Sequence, residues 1–137
     1  MTTVLEMSKQ NFKKLQTIGI LNKHGKLVFD EHLKLKADGY TDLSLNWLNE
    51  DEQYQYFAMT HYGELNGDLM SDPDMEVRVD AIKGTAEALS YRNDWVGVNT
   101  VILNPEQQTP KYRDLNEFFG VWLQNLIDQG FKNDLQK

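Results

Sequence analysis

The run Tyr54–Asp80, Y-Q-Y-F-A-M-T-H-Y-G-E-L-N-G-D-L-M-S-D-P-D-M-E-V-R-V-D, decides the fold of this chain. Its first part alternates with the two-residue period of a strand. Phe57, Met59 and His61 fall on one face, and Tyr56, Ala58, Thr60 and Tyr62 on the other. Its end repeats the pattern, with Met75, Val77 and Val79 alternating with Glu76, Arg78 and Asp80. Between them, Thr60–Met75 packs one histidine, four carboxylates, two glycines and a proline into a turn-rich segment. Asn66-Gly67 tolerates positive φ and marks one turn, and Asp72-Pro73 is expected to start a second. Asp68 or Asp72 is expected to accept backbone N–H bonds there.

The same period extends in both directions. Upstream, Leu33 and Leu35 alternate with Lys34 and Lys36. After a turn at Asp38-Gly39, Leu43, Leu45 and Trp47 alternate with Ser44 and Asn46, and Asn49–Gln53 is a polar turn. Downstream, Lys83-Gly84 leads into a strand near Ala86–Tyr91, and a turn at Arg92–Trp95 leads into another over Val96–Leu103. About six strands with short connections predict an antiparallel meander.

Helical periods flank the strands. Ser8 reads as the N-cap of a helix to Ile18, with a Met7–Phe12 staple, Phe12 and Leu15 on one face, and Gly19 as the stop. Near the end, Asp114–Phe131 reads D-L-N-E-F-F-G-V-W-L-Q-N-L-I-D-Q-G-F. Asp114 with Glu117 resembles a capping box, and Leu115, Phe118, Phe119, Trp122, Leu123, Leu126 and Ile127 keep a helical rhythm. Gly130 and Phe131 fit a Schellman stop. Phe118 and Trp122 are expected to be buried against the sheet. The fold read from these patterns is α+β: an N-terminal helix, an antiparallel sheet of about six strands and a long C-terminal helix packed on it, in a single domain over 1–137.

Composition narrows the functions. A chain of 137 residues can bury a core without metals or crosslinks. The absence of cysteine excludes disulfides, thiol nucleophiles and Cys-type zinc sites. The first residues hold no apolar stretch of a signal peptide, and no apolar run approaches the roughly 20 residues that span a bilayer. A soluble, cytoplasmic protein without membrane contact is expected. The net charge of -7 is unevenly spread: residues 1–36 carry +4, residues 37–80 carry -10, and the remainder -1. The acidic middle opposes direct nucleic-acid binding and would attract a basic protein partner. Glu50, Asp51 and Glu52, in the polar turn, are the candidate contacts.

His61, Glu64, Asp68 and Asp72, with Asp74 nearby, are the candidate ligands for a divalent metal. Their spacing fits neither an EF-hand loop nor an H-E-x-x-H pair, and turn formation accounts for most of them separately. No serine sits in a G-x-S-x-G elbow, and no glycine-rich phosphate cradle is present. Paired-carboxylate catalysis leaves no sequence signature. No cofactor is expected. Trp47, Tyr54, Tyr56, Phe57, Tyr62, Tyr91 and Trp95 could stack bases, but the surrounding acidity favours core and cross-strand packing for them.

Three blocks carry a resemblance: H-L-K-L-K-A-D-G-Y-T-D-L (His32–Leu43), T-H-Y-G-E-L-N-G-D-L-M-S-D-P-D-M (Thr60–Met75) and F-F-G-V-W-L-Q-N-L-I-D-Q-G-F (Phe118–Phe131). They are similar to an uncharacterised bacterial family, a domain of unknown function, with blocks of the kind K-L-K-x-x-G-F-M-D-L, H-Y-x-x-Q-N-G-D-L-x-x-D-P-x-M and W-L-x-N-L-x-x-Q-G. Leu65 stands where that family usually has glutamine, and Tyr40-Thr41 where it has Phe-Met. The resemblance implies a shared fold and a setting on phage, plasmid or other mobile elements as well as chromosomes. It implies no catalytic residue. The leading expectation is a non-enzymatic protein-binding module, with a metal-dependent hydrolase or nucleotide-processing enzyme using the His61–Asp74 segment as the alternative. Oligomeric state is left open.

Overall fold

The structure, a computed structural model, describes residues 2–65 and 67–133, apart from the side chains of Glu64, Leu65, Asp68 and Leu69. Helix α1 (Val4–Ile18) is followed by strands β1 (His32–Leu35), β2 (Leu43–Glu50), β3 (Gln55–Leu65) and β4 (Asp68–Asp80). Strands β5 (Thr85–Ala88), β6 (Ser90–Asn93) and β7 (Val98–Val101) come next, and helix α2 (Pro110–Gln129) closes the order. The seven strands form one antiparallel sheet in the order β1-β2-β3-β4-β6-β7, with β5 also beside β4. This is the α+β arrangement expected.

The centre departs from the expected strand, loop and strand. β3 and β4 are one long hairpin, paired from Gln55↔Val79 out to Leu65↔Asp68. Strand β3 runs to Leu65 and β4 starts at Asp68; Gly67 just before it has φ +86°, and Asn66 lies outside the described residues. Asp72-Pro73 starts no turn. It is a cis peptide inside β4, where the register shifts between Thr60↔Asp74 and Tyr62↔Ser71. Two residues of β4 thus stand against His61, and a bulge accommodates a proline that has no N–H for the ladder.

The strand expected over Ala86–Tyr91 is interrupted at Leu89, giving β5 and β6, although the Leu89 N–H still donates to the Glu76 carbonyl at 2.8 Å. The strand expected over Val96–Leu103 forms only as Val98–Val101, closed onto β6 by Asn93↔Val98. One face of the sheet supplies Leu43, Leu45, Phe57, Met59, Met75, Val77, Val79, Ala86 and Ala88 to the core, all buried. Both helices cover this face, through Phe12, Leu15 and Ile18 of α1 and Phe119, Trp122, Leu123 and Leu126 of α2.

Both helices begin earlier than the sequence suggested. Thr3, not Ser8, caps α1, accepting the Glu6 N–H at 3.1 Å, and Ser8 is buried inside the helix. Thr109 caps α2 by accepting the Tyr112 N–H at 3.2 Å, with Pro110 in the first turn, so Asp114 and Glu117 lie within the helix. In both cases a threonine hydroxyl one turn upstream satisfies the orphan amides first. The stops are as expected: Gly19 and Gly130 take φ of +92° and +95°, and Phe131 donates to Leu126. Trp122 is buried, but Phe118 is 40% exposed, its ring set edge-on to Tyr91 at 5.3 Å between centroids.

Asn116 ties α2 to the sheet. Its amide accepts the Ala88 N–H at 2.7 Å and donates to the Ala88 carbonyl at 3.2 Å. The side chain substitutes for a neighbouring strand at β5, whose backbone would otherwise be left with buried unpaired groups.

Candidate functional site

Of the four metal candidates, His61 and Asp72 are described with their side chains, and the side chains of Glu64 and Asp68 lie outside the description. His61 points to the helix side of β3. Its ring is wedged between Trp122 and Phe131, at 5.7 and 5.6 Å between centroids. Its Nδ1 lies 3.2 Å from the Asp42 carbonyl. Burial pulls the imidazole below its ordinary pKa, against the opposing pull of the Asp42 carbonyl, the Asp72 charge and the Thr41 carbonyl. His61 is therefore a neutral imidazole at pH 7, sealing the core beside the C-terminal end of α2. Among the described residues no three His, Asp or Glu side chains gather as metal ligands would.

Asp72 has a different attachment. Its Oδ1 accepts the Asn93 side-chain amide at 2.7 Å, while the side chain of Asp68, the other residue expected to accept backbone N–H bonds, lies outside the described residues. Next to it, Ser71 and Asp94 are joined twice: the Ser71 N–H donates to Asp94 Oδ2 and the Asp94 N–H to the Ser71 carbonyl, both at 2.8 Å. Asn93 Oδ1 in turn accepts the Trp95 N–H at 3.0 Å. The carboxyl of Asp94 is held below its usual range by the Ser71 amide first and by Arg92 second. The acidic centre of the chain thus holds the β6–β7 turn, residues 94–97, in place.

Trp95 lies over Gly63. A Cβ built at Gly63 would meet Trp95 Cζ2 at 2.9 Å, so only glycine leaves room for the indole there. Seated in this way, Trp95 remains 44% exposed and Val96 67% exposed. Along β7, Val98 is exposed on the helix side and Val101 on the opposite face, and Leu103 beyond the strand is exposed as well. An open groove of ≈ 480 Å³ borders that strand on the helix side, walled by Tyr91, Thr100, Lys111, Asp114, Leu115 and Phe118. The aromatics were expected to be packed away, yet among them only Phe57 is fully buried, and Trp47 also reaches the surface.

A second polar cluster has a structural role. Arg78, buried, donates from Nε to Glu87 at 3.1 Å and from Nη2 to Glu106 at 3.2 Å, with its guanidinium 4.1 Å from the Tyr54 ring centroid. The Tyr112 hydroxyl donates to the same Glu87. Burial first, and Glu87 second, push the Tyr112 hydroxyl well above its ordinary pKa, so it remains a neutral donor. A cavity of ≈ 140 Å³ lies alongside, but the guanidinium that lines it is already held by two carboxylates and a ring.

The candidate contacts Glu50, Asp51 and Glu52 all lie at the surface. They are not equivalent. Asp51 Oδ1 accepts the N–H groups of Gln53 and Tyr54, at 2.9 and 2.7 Å, and so forms the β2–β3 turn. Glu50 closes the strand pairing opposite Gln55. Only Glu52 projects from the turn without a pairing or capping role among the described contacts.

Sequence reading missed the Trp95-Val96 tip and the β7 edge. A signal was present: residues 95–105, W-V-G-V-N-T-V-I-L-N-P, contain no charged side chain in a protein that is 26% charged. The capping of β5 by Asn116 had none, since a helix-interior asparagine looks the same whether buried or exposed.

No helix among the described residues is long and apolar enough to cross a membrane. Searches of curated proteins and of solved structures return no significant match. A family model does match, over residues 10–132 and therefore including the central hairpin, the β6–β7 turn and α2. The chain belongs to that family, described as Domain of unknown function (DUF6908).

Proposed function

We propose that this chain is a non-enzymatic protein-binding module that takes a basic protein as its partner. The observation that carries the reading is the Trp95-Val96 tip. A tryptophan anchored over Gly63 by a turn fixed through Asn93 and Asp94 is a rigid, half-exposed aromatic, the kind of side chain that dominates protein interfaces. Exposed Asp72 lies beside this turn, and the acidic stretch of residues 37–80 would steer a basic surface toward it. Glu50 and Glu52 contribute to that field at longer range.

The test compares wild type with Trp95→Ala on a partner recovered by the wild-type protein. The substitution is expected to leave the fold intact and to weaken binding by about 2 kcal/mol or more, as a hot-spot truncation does. Affinity should also fall with added salt. A partner bound equally well by both proteins, or one insensitive to salt, would contradict the reading.

A further inference from the structure

We propose that β7 pairs with β7 of a second copy of this chain, antiparallel across a two-fold axis through Thr100, so that two sheets join into one. The Ile102 N–H bonds to the Leu89 carbonyl, and the register runs Tyr91↔Thr100 and Asn93↔Val98. In an antiparallel ladder the residues that exchange bonds alternate with those that do not. Val98, Thr100 and Ile102 therefore turn their backbone groups toward β6, and Asn99 and Val101 turn theirs toward the open edge. Among the described residues no strand lies beyond β7 in the sheet order.

Those outward groups are self-complementary. With Thr100 on the axis, Asn99 of one copy lies opposite Val101 of the other, and each exchanges N–H and C=O bonds with its partner. The same holds on the far side of the axis by symmetry. Val98 then falls opposite Ile102, and Thr100 opposite Thr100.

Charge favours a copy of the same chain as occupant. Two molecules at net -7 repel over most of their surfaces, but residues 95–105 carry no charge, so no like charges meet along the seam. The groove beside the seam is rimmed by Lys111 and Asp114, one of each sign. A two-fold axis can set such a rim against itself with opposite signs facing. The other edge of the sheet differs. β1 presents Lys34, followed by Lys36, the charged residues that keep an edge strand from pairing. Val98 on the helix side and Val101 on the opposite face, exposed at 40% and 50%, would each gain a cross-strand neighbour at the seam, Ile102 and Asn99 of the second copy.

Self-pairing at β7 is separable from partner capture at Trp95. Sedimentation equilibrium on the full chain at micromolar concentrations should give twice the monomer mass. Thr100→Lys and Thr100→Glu each place like charges opposite one another on the axis and should each return the monomer mass. An equimolar mixture of the two should recover the dimer, which shows that neither variant merely failed to fold. A wild-type protein that is monomeric across this range overturns the pairing. So does a dimer that survives in both charge variants, or a mixture that stays monomeric. Trp95→Ala should leave the dimer mass unchanged, so loss of partner binding in that variant and loss of the dimer in the Thr100 variants report on different claims.

Discussion

Gly63 in β3 and Trp95 in the β6–β7 turn are a fitted pair: the indole occupies the space that a Cβ at position 63 would need, 2.9 Å from Cζ2. Gly63→Ala should displace the indole and cost about 1–3 kcal/mol in urea unfolding, the range for overpacking. In Trp95→Ala the space is empty, so adding Gly63→Ala should cost much less. A double-mutant cycle should show coupling well beyond the few tenths of a kcal/mol seen between independent sites. Additive losses would mean that the two residues are not in contact.

Asn116 should tolerate no apolar replacement. Asn116→Leu removes the partners of both the Ala88 N–H and its carbonyl while keeping the branched outline of the side chain. Each unsatisfied buried group costs about 1–3 kcal/mol, so the loss should approach twice that. Urea denaturation measures it, and a loss below 1 kcal/mol would mean that water replaces the amide.

The centre of the fold shows what sequence could and could not convey. Alternation made Phe57, Met59, Met75, Val77 and Val79 legible as one face, and Gly130 with Phe131 made the end of α2 legible. The extent of the hairpin was not legible. Asp72-Pro73 looks like a turn because its neighbours in sequence are turn formers, whereas a bulge opposite His61 depends on β3, which local reading does not see. The surface proposed for binding was obscured for a similar reason. Trp95 reads as a turn residue or a packed aromatic, and only Gly63, distant in sequence, shows that it is held at the surface.

His61 makes stability depend on pH in a defined direction. Burial sets its folded pKa below the ordinary 6.5, so the unfolded chain takes up the proton first. Its contribution is complete above pH 6.5 and is lost as pH falls from there toward the folded value. Asp42, Asp51, Asp80 and Asp94 have pKa values lowered beneath 3.8 and remain ionised throughout this window. Thermal unfolding between about pH 7.5 and 5.5 should show a falling melting temperature, and His61→Gln should flatten that slope. An unchanged slope in His61→Gln would place the titrating group elsewhere.

Charge reversal in the β2–β3 turn should separate its three acids. Glu50→Lys and Glu52→Lys should leave the melting temperature nearly unchanged and slow association with a basic partner. Asp51→Lys should lower the melting temperature, because the Gln53 and Tyr54 amides lose their acceptor. Equal melting temperatures for all three would show that the turn forms without the Asp51 cap.

The most direct measurement of the protein-binding claim is photo-crosslinking from the tip. A photoreactive amino acid at Val96 is compared with the same group at Ile82, which is 96% exposed but distant from the β6–β7 turn in the sheet. The expected result is a discrete adduct with a basic protein from position 96, absent from position 82 and lost when Trp95→Ala is added. No adduct from position 96, or the same adduct from both positions, would contradict the account.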